Sequence, residues 1–141
     1  IGGMPRPKIK LGGGGGGANI SATIGALTLW TTRHRSGRTL VPTLDFLTDL
    51  GHRTPDGTRE QLGHRGRGPQ WLVTELGVFD FVDGRARLVA RYPDVEVDEI
   101  ERATGFELDV APELALVAEP TTAELAECTC PDFCERDHDT D

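Results

Sequence analysis

The alternation of apolar and polar positions divides the chain into an irregular first half and a regular second half. The clearest signal lies in residues 71–92. "WLVTELGVFDF", residues 71–81, is dense in β-forming side chains. "RARLVARY", residues 85–92, sets Ala86, Leu88 and Ala90 against Arg85, Arg87, Val89 and Arg91. Asp83–Gly84 between them is a turn signal, so the two runs predict a β-hairpin. "DVEVDEIERATG" then predicts a short helix over residues 97–104. Its acidic start suits the positive end of the helix dipole, and Gly105 marks its end. "FELDV", residues 106–110, predicts another short strand. Thr121 and Glu124 in "PTTAELAE" have the spacing of a capping box.

The first half is less regular. "KIKL", residues 8–11, alternates and predicts the end of a strand. "ANISATIGALTLW" predicts a helix over about residues 19–26 leading into a strand over 27–31. "RHRSGR" reads as a polar turn. "TLVPTLDFL" reads as a strand interrupted at Pro42, which places an edge or a bulge there. Residues 48–70, rich in glycine and charge, predict a long loop, and loops of that length are functional or disordered. The mixture indicates an α/β or α+β fold, without internal repeats.

Composition narrows the function. With 141 residues the chain amounts to one domain with a modest core. Net charge is −8, from 23 acidic and 15 basic residues. That balance argues against nucleic acid as a partner, because phosphate binding needs a dense basic face. The arginines nevertheless gather in the first half (Arg33, Arg35, Arg38, Arg53, Arg59, Arg65 and Arg67), while the second half is acidic. Two readings fit this asymmetry: a solvated acidic face, or a local basic patch for an anionic ligand. No apolar run has the ~18 residues of a membrane span and no signal-peptide pattern is present, so the expected location is cytoplasmic. The three cysteines all fall in "CTCPDFCERDH". Cys128, Cys130 and Cys134 with His138 could complete a tetrahedral zinc site. The C-x-C spacing departs from the usual pairs, and an acidic disordered tail over 128–141 is the preferred reading. His34, His52 and His64 lie in polar turns and read as surface residues, with His52 the first to test as a functional group.

The most unusual stretch is "KIKLGGGGGGANIS", residues 8–21, with six consecutive glycines. G-x-G-x-x-G is satisfied at Gly12, Gly14 and Gly17, but within a glycine run that match is automatic. A dinucleotide site also needs an acidic residue about 20 positions on, and a P-loop needs Lys-Ser/Thr at its end. The first carboxylate is Asp45, and Ala18–Asn19 follow the run. A flexible spacer fits poorly between two structured segments. The remaining readings are a strand–loop–helix connection whose bare N–H groups face an anion or a developing oxyanion, or close backbone packing with no ligand.

"PRPKIKL", the loop ending in "GGAN", "LDFLTDLGH", "GPQWLVTELGVFDF", "RLVARYPDVEVDEIERATGFEL" and "PTTAELA" follow one another in this order. Together they resemble the C-terminal part of the β subunit of family I CoA-transferases, nearest the glutaconate CoA-transferase-like branch and its ring-opening relatives. The likeness runs from about residue 3 to 126. It implies an open α/β sheet, here an incomplete C-terminal portion, with residues 1–127 as the domain. It implies pairing with an α-like subunit in a hetero-oligomer and transfer of CoA between carboxylic acids. CoA would be a substrate and no cofactor would be held permanently. It also implies that Gly14, Gly15, Gly16, Gly17, Ala18 and Asn19 line the site for acyl-CoA and a carboxylic acid.

Three features depart from the family. Its nucleophilic glutamate sits in a Glu-Asn-Gly-like motif that these residues lack, so no catalytic residue is assigned. Glu60 and Glu75 do not match that motif, and Glu75 falls in a strand motif where an acid is structural. Asn19 runs into Ile20–Ser21 without the family's aspartate, and the tail after about Glu127 does not fit. A split half of a β subunit is the expectation. The alternatives are a β subunit of the ring-opening CoA-thioester hydrolases and a non-catalytic remnant that binds a partner.

Overall fold

The strongly alternating residues 71–92 form the middle of a sheet in the computed structural model, which describes residues 13–127. The elements in order are α1 Gly15–Thr23, β1 Leu27–Trp30, β2 Arg53–Thr54, β3 Gly57–Thr58, β4 Pro69–Val73, β5 Gly77–Val82, β6 Arg85–Arg91, α2 Val97–Ala103, β7 Asp109–Leu116 and α3 Thr122–Glu127. Five strands make an open mixed sheet in the order β1-β4-β5-β6-β7. The two outer pairings, β1 with β4 and β6 with β7, are parallel, and the two inner ones are antiparallel. The fold is α/β, as the sequence implies.

Local chemistry accounts for the meander. Asp83 and Gly84 both have positive φ, 51° and 76°. That is the two-residue hairpin turn whose twist matches the flanking strands. "WLVTELGVFDF" is two strands rather than one. Thr74 Oγ1 accepts hydrogen bonds from the N–H groups of Leu76 and Gly77 and donates to the Gly77 carbonyl, which reverses the chain. Between the parallel β6 and β7, α2 makes the crossover that parallel pairing demands. Thr121 and Glu124 form the expected capping box: the Thr121 N–H donates to Glu124 Oε2 at 2.8 Å, and the Glu124 N–H to Thr121 Oγ1 at 3.3 Å.

Leu76, Phe79, Leu88, Val95, Ile100 and Ala103 form the core between one face of the inner strands and α2, joined by Leu40 from the first half. Leu40 explains one departure from the sequence expectation. Residues 39–47 form no strand. Pro42 removes a donor, and the segment instead packs against the end of α2, where the Gly105 N–H donates to the Leu40 carbonyl at 2.8 Å. A Cβ on Gly105 would approach Pro42 Cδ to 2.6 Å, so this glycine serves close packing and not a left-handed helix end. A second departure is the helix near residue 19. It begins at Gly15, inside the glycine run, and ends at Thr23. The predicted strand at residues 8–11, the three cysteines and His138 lie outside the described residues.

Candidate active-site wall

Gly14 to Asn19 come together as one helical turn. Gly14 is the N-cap of α1, and Gly15, Gly16 and Gly17 are its first three residues. The first intrahelical bond runs from the Ala18 N–H to the Gly14 carbonyl at 2.9 Å. Helix geometry therefore leaves the N–H groups of Gly15 to Gly17 without intrahelical acceptors, and no side chain among the described residues caps them. An added Cβ at Gly15 or Gly16 meets no atom within 4 Å among the described residues. The fold does not require glycine at these two positions, although glycine weakens a helix.

Gly14 and Gly17 are different. A Cβ there would approach Thr48 Cβ to 3.2 Å and Asp49 Oδ1 to 2.9 Å. The Thr48–Asp49 segment thus lies against the first turn, a contact between residues some thirty positions apart with no signature in the sequence. The Asp49 carboxylate complements the positive end of the helix but opposes any free anion at the same place. This electrostatic arrangement favours a neutral carbonyl as the acceptor over a phosphate. Beside the turn is a largely apolar concavity of about 380 Å³, lined in part by Gly17, Ile20, Leu27, Leu29 and Leu50. On the other side Ala18, Ala22, Leu47, Thr48 and His64 line a smaller one of about 230 Å³.

The other end of α1 is held by Arg59, which is 5 % exposed. Its Nε donates to the Gly66 carbonyl at 2.8 Å, Nη1 to those of Leu50 and Gly51 at 3.1 and 3.0 Å, and Nη2 to those of Ser21 and Ala22 at 2.7 and 3.4 Å. One guanidinium therefore ties α1, the Asp49 segment and residues 59–66 into a unit, and its charge faces the carbonyl end of the helix. Ser21 adds to this tie by accepting from the Leu50 N–H at 3.1 Å. Sequence pattern groups Arg59 with the surface arginines, because a planar fork that satisfies backbone carbonyls leaves no periodic trace. Residues 48–68 form the long loop, which includes the β2–β3 pair, and residues 69–70 already belong to β4.

The histidines separate. His34 is fully buried, which corrects the surface assignment. Its Nδ1 lies 3.2 Å from Thr74 Oγ1 and its Nε2 3.0 Å from Thr104 Oγ1. Thr104 Oγ1 donates to the Ile100 carbonyl and Thr74 Oγ1 to the Gly77 carbonyl, so both hydroxyl oxygens face the ring as acceptors, and a neutral ring donates to one of them only. Burial lowers the His34 pKa, and the nearby Glu75 carboxylate only partly offsets this. Burial acts to raise the Glu75 carboxyl, but the N–H groups of Arg35 and His34 bond it and hold it below its ordinary value. Glu75 is thus a clamp on the 34–35 turn, the structural role expected for it. His52 and His64 are half-buried and both line a concavity beside residues 58–67.

No protein-family model matches the chain. Among curated proteins it is 31% identical over 127 residues to the β subunit of 3-oxoadipate CoA-transferase from Pseudomonas knackmussii, covering 89% of this chain and 48% of that one. It is 36% identical over 129 residues to the β subunit of glutaconate CoA-transferase from Acidaminococcus fermentans, covering 89% and 47%. The crystal structure of glutaconate coenzyme A-transferase from the same organism superposes with a TM-score of 0.71 at 29% identity, again over 89% of this chain and 48% of that one. The chain spans about half the length of the curated relatives it matches. A sheet of this topology and identity sustained across nine-tenths of the chain have one common explanation: the chain is related to the family I CoA-transferase β subunits over about half of their length.

Proposed function

We propose that this chain is the segment of a CoA-transferase β subunit that walls the thioester site, with the N–H groups of Gly15, Gly16 and Gly17 facing the acyl carbonyl of acyl-CoA. The observation that carries this reading is the first turn of α1: three uncommitted donors, no Cβ atoms in the way, and no need of the described fold for glycine at Gly15 or Gly16. Donors fixed before the reaction stabilise a carbonyl oxygen most where negative charge develops on it.

The chemistry this wall would serve is a double exchange. A carboxylate attacks the thioester carbon, expels CoA as thiolate and forms a mixed anhydride. The thiolate then attacks the anhydride on the enzyme's side, releases the first acid and leaves an enzyme–CoA thioester, and the second acid reverses both steps. Each tetrahedral intermediate carries an oxyanion of the kind that α1 would bind. The chain holds no Glu-Asn-Gly-like motif and Glu75 is committed to the 34–35 turn, so in this reading the nucleophile is supplied by the remainder of the assembly, together with an α-like partner subunit. Residues 1–127 act as one unit in this reading, and the acidic stretch 128–141 takes no part.

The test is acyl-CoA exchange with a labelled acid in the complete assembly. Gly16→Val keeps the N–H but sets a branched side chain in front of it, and should lower turnover by about a hundredfold or more, an effect as large as the loss of an oxyanion donor, without dissociating the subunits. Unchanged turnover and unchanged CoA affinity would sink the proposal. Release of free acid without any acceptor acid would instead assign the assembly to the hydrolases.

A further inference from the structure

The proposed thioester site leaves unexplained a basic concavity at the other end of α1. It has a volume of about 740 Å³ and is walled by His64, Arg65 and Arg67 around residues 58–67. Residues 52–67 hold four arginines against two carboxylates, in a chain of net charge −8. Arg59 is consumed by backbone carbonyls, and Arg53 donates to the Asp83 carbonyl. Arg65 and Arg67, both exposed, form no ion pair and no side-chain hydrogen bond among the described residues. Their loop is nevertheless fixed. The His64 N–H donates to the Arg59 carbonyl at 2.9 Å, the Arg67 N–H to the Gly25 carbonyl at 3.0 Å, and Gly63 and Gly68 take positive φ of 78° at its bends.

We propose that Arg65 and Arg67 form a binding site for a phosphorylated anion. Resting on the reading above, that anion is the phosphate-bearing nucleotide end of the CoA whose thioester meets α1. Guanidinium groups without partners on an ordered loop suit phosphate oxygens, which they can bond in pairs. The two sites share a wall. His64 lines both this concavity and the small depression flanked by Ala18, Thr48 and Asp49, which leads back to the glycine turn. The ends are about one short helix apart, roughly 10 Å along α1 at 1.5 Å per residue. A carrier with a long neutral arm between thioester and phosphates fits that arrangement. Asp49 repels phosphate at one end, and the arginines attract it at the other. Glu60 also lines the concavity and opposes the anion, leaving the arginine pair to outweigh one carboxylate. His52 supplies little charge at neutral pH, since burial lowers its pKa; the Pro69 carbonyl opposes that shift, and the cations Arg59 and Arg53 reinforce it.

Calorimetric titration of the full chain with adenosine 3′,5′-bisphosphate, inorganic phosphate, CoA and pantetheine tests the proposal. The nucleotide and CoA should bind, more weakly as salt is raised, and inorganic phosphate should bind less well. Replacing both residues (Arg65→Ala, Arg67→Ala) should weaken nucleotide and CoA by about tenfold or more and leave pantetheine unchanged. Both side chains are exposed, so the double variant should keep its fold, and unchanged circular dichroism checks it. Absence of nucleotide binding by the unaltered chain, or equal binding by the double variant, overturns the anion site. Nucleotide binding through the arginines with CoA no tighter than inorganic phosphate, and with Gly16→Val without effect on turnover, would uphold the anion site and overturn the CoA-transferase reading.

Discussion

Single side chains in this protein fall into those the fold needs and those it does not, and the two kinds respond oppositely to substitution. Gly15→Ala or Gly16→Ala adds a Cβ in open space on a helix. Each should raise stability by up to about 0.5–1 kcal/mol in urea denaturation, even as turnover of the complete assembly falls. Arg59→Met does the reverse. It strips charged hydrogen bonds from the carbonyls of Ser21, Leu50, Gly51 and Gly66, several of them buried, and should cost about 3 kcal/mol or more. Arg59→Lys should recover little of this, because an ammonium cannot span the five acceptors. His34 gives the chain a pH dependence of known sign. Its folded pKa lies below its ordinary value of 6.5, so the unfolded chain takes up the proton first. Stability is therefore full above about pH 6.5 and falls as the pH drops below it; His34→Gln should flatten that slope in denaturation curves compared at pH 7.5 and 5.5.

At the level of elements, close backbone contacts are what hold the pieces in register. A Cβ on Gly77, at the start of β5, would meet the Ala90 carbonyl of β6 at 2.5 Å. Gly77→Ala should therefore destabilise by about 1–3 kcal/mol, the usual range for overpacking, where Gly16→Ala stabilises. Thermal melts of the two variants side by side give the contrast directly. The hairpin, α2 and the capping box are legible in the sequence because each is specified by neighbouring residues: alternation, an Asp-Gly turn, a Thr-x-x-Glu spacing. The start of α1 is not. Glycine has the second-lowest helix propensity after proline, so no local rule begins a helix within a glycine run. The Arg59 bonds to Ser21, Leu50 and Gly51 show the tertiary contacts that stand in for it.

At the scale of the molecule, the described residues bury the core of the sheet against one of its faces. Thr28 pairs with Trp71 and Trp30 with Val73, so Trp30 and Trp71 share the face opposite Leu72 and the core. They are the chain's two tryptophans, and they are 77 % and 46 % exposed. If the proposed partner assembly docks on this face, adding it should shift tryptophan emission to shorter wavelength, and Trp30→Ser should weaken the association. An unchanged spectrum on binding would place the partner elsewhere. Among the described residues no helix is long and apolar enough to cross a membrane.

The sequence alone determined the β5–β6 hairpin, the α2 helix and the resemblance to CoA-transferase β subunits that implies the α/β class, because these depend on side-chain order over a few neighbouring positions. Only the tertiary structure decided that the glycine run opens a helix, that His34 is buried, and that Arg59 binds carbonyls from three separate segments. Those outcomes depend on contacts between residues up to 70 positions apart, where burial and hydrogen-bond satisfaction outweigh local preference. The same long-range packing left Arg65 and Arg67 unpartnered among the described residues, beside one end of a helix whose other end carries three N–H groups with no intrahelical acceptor.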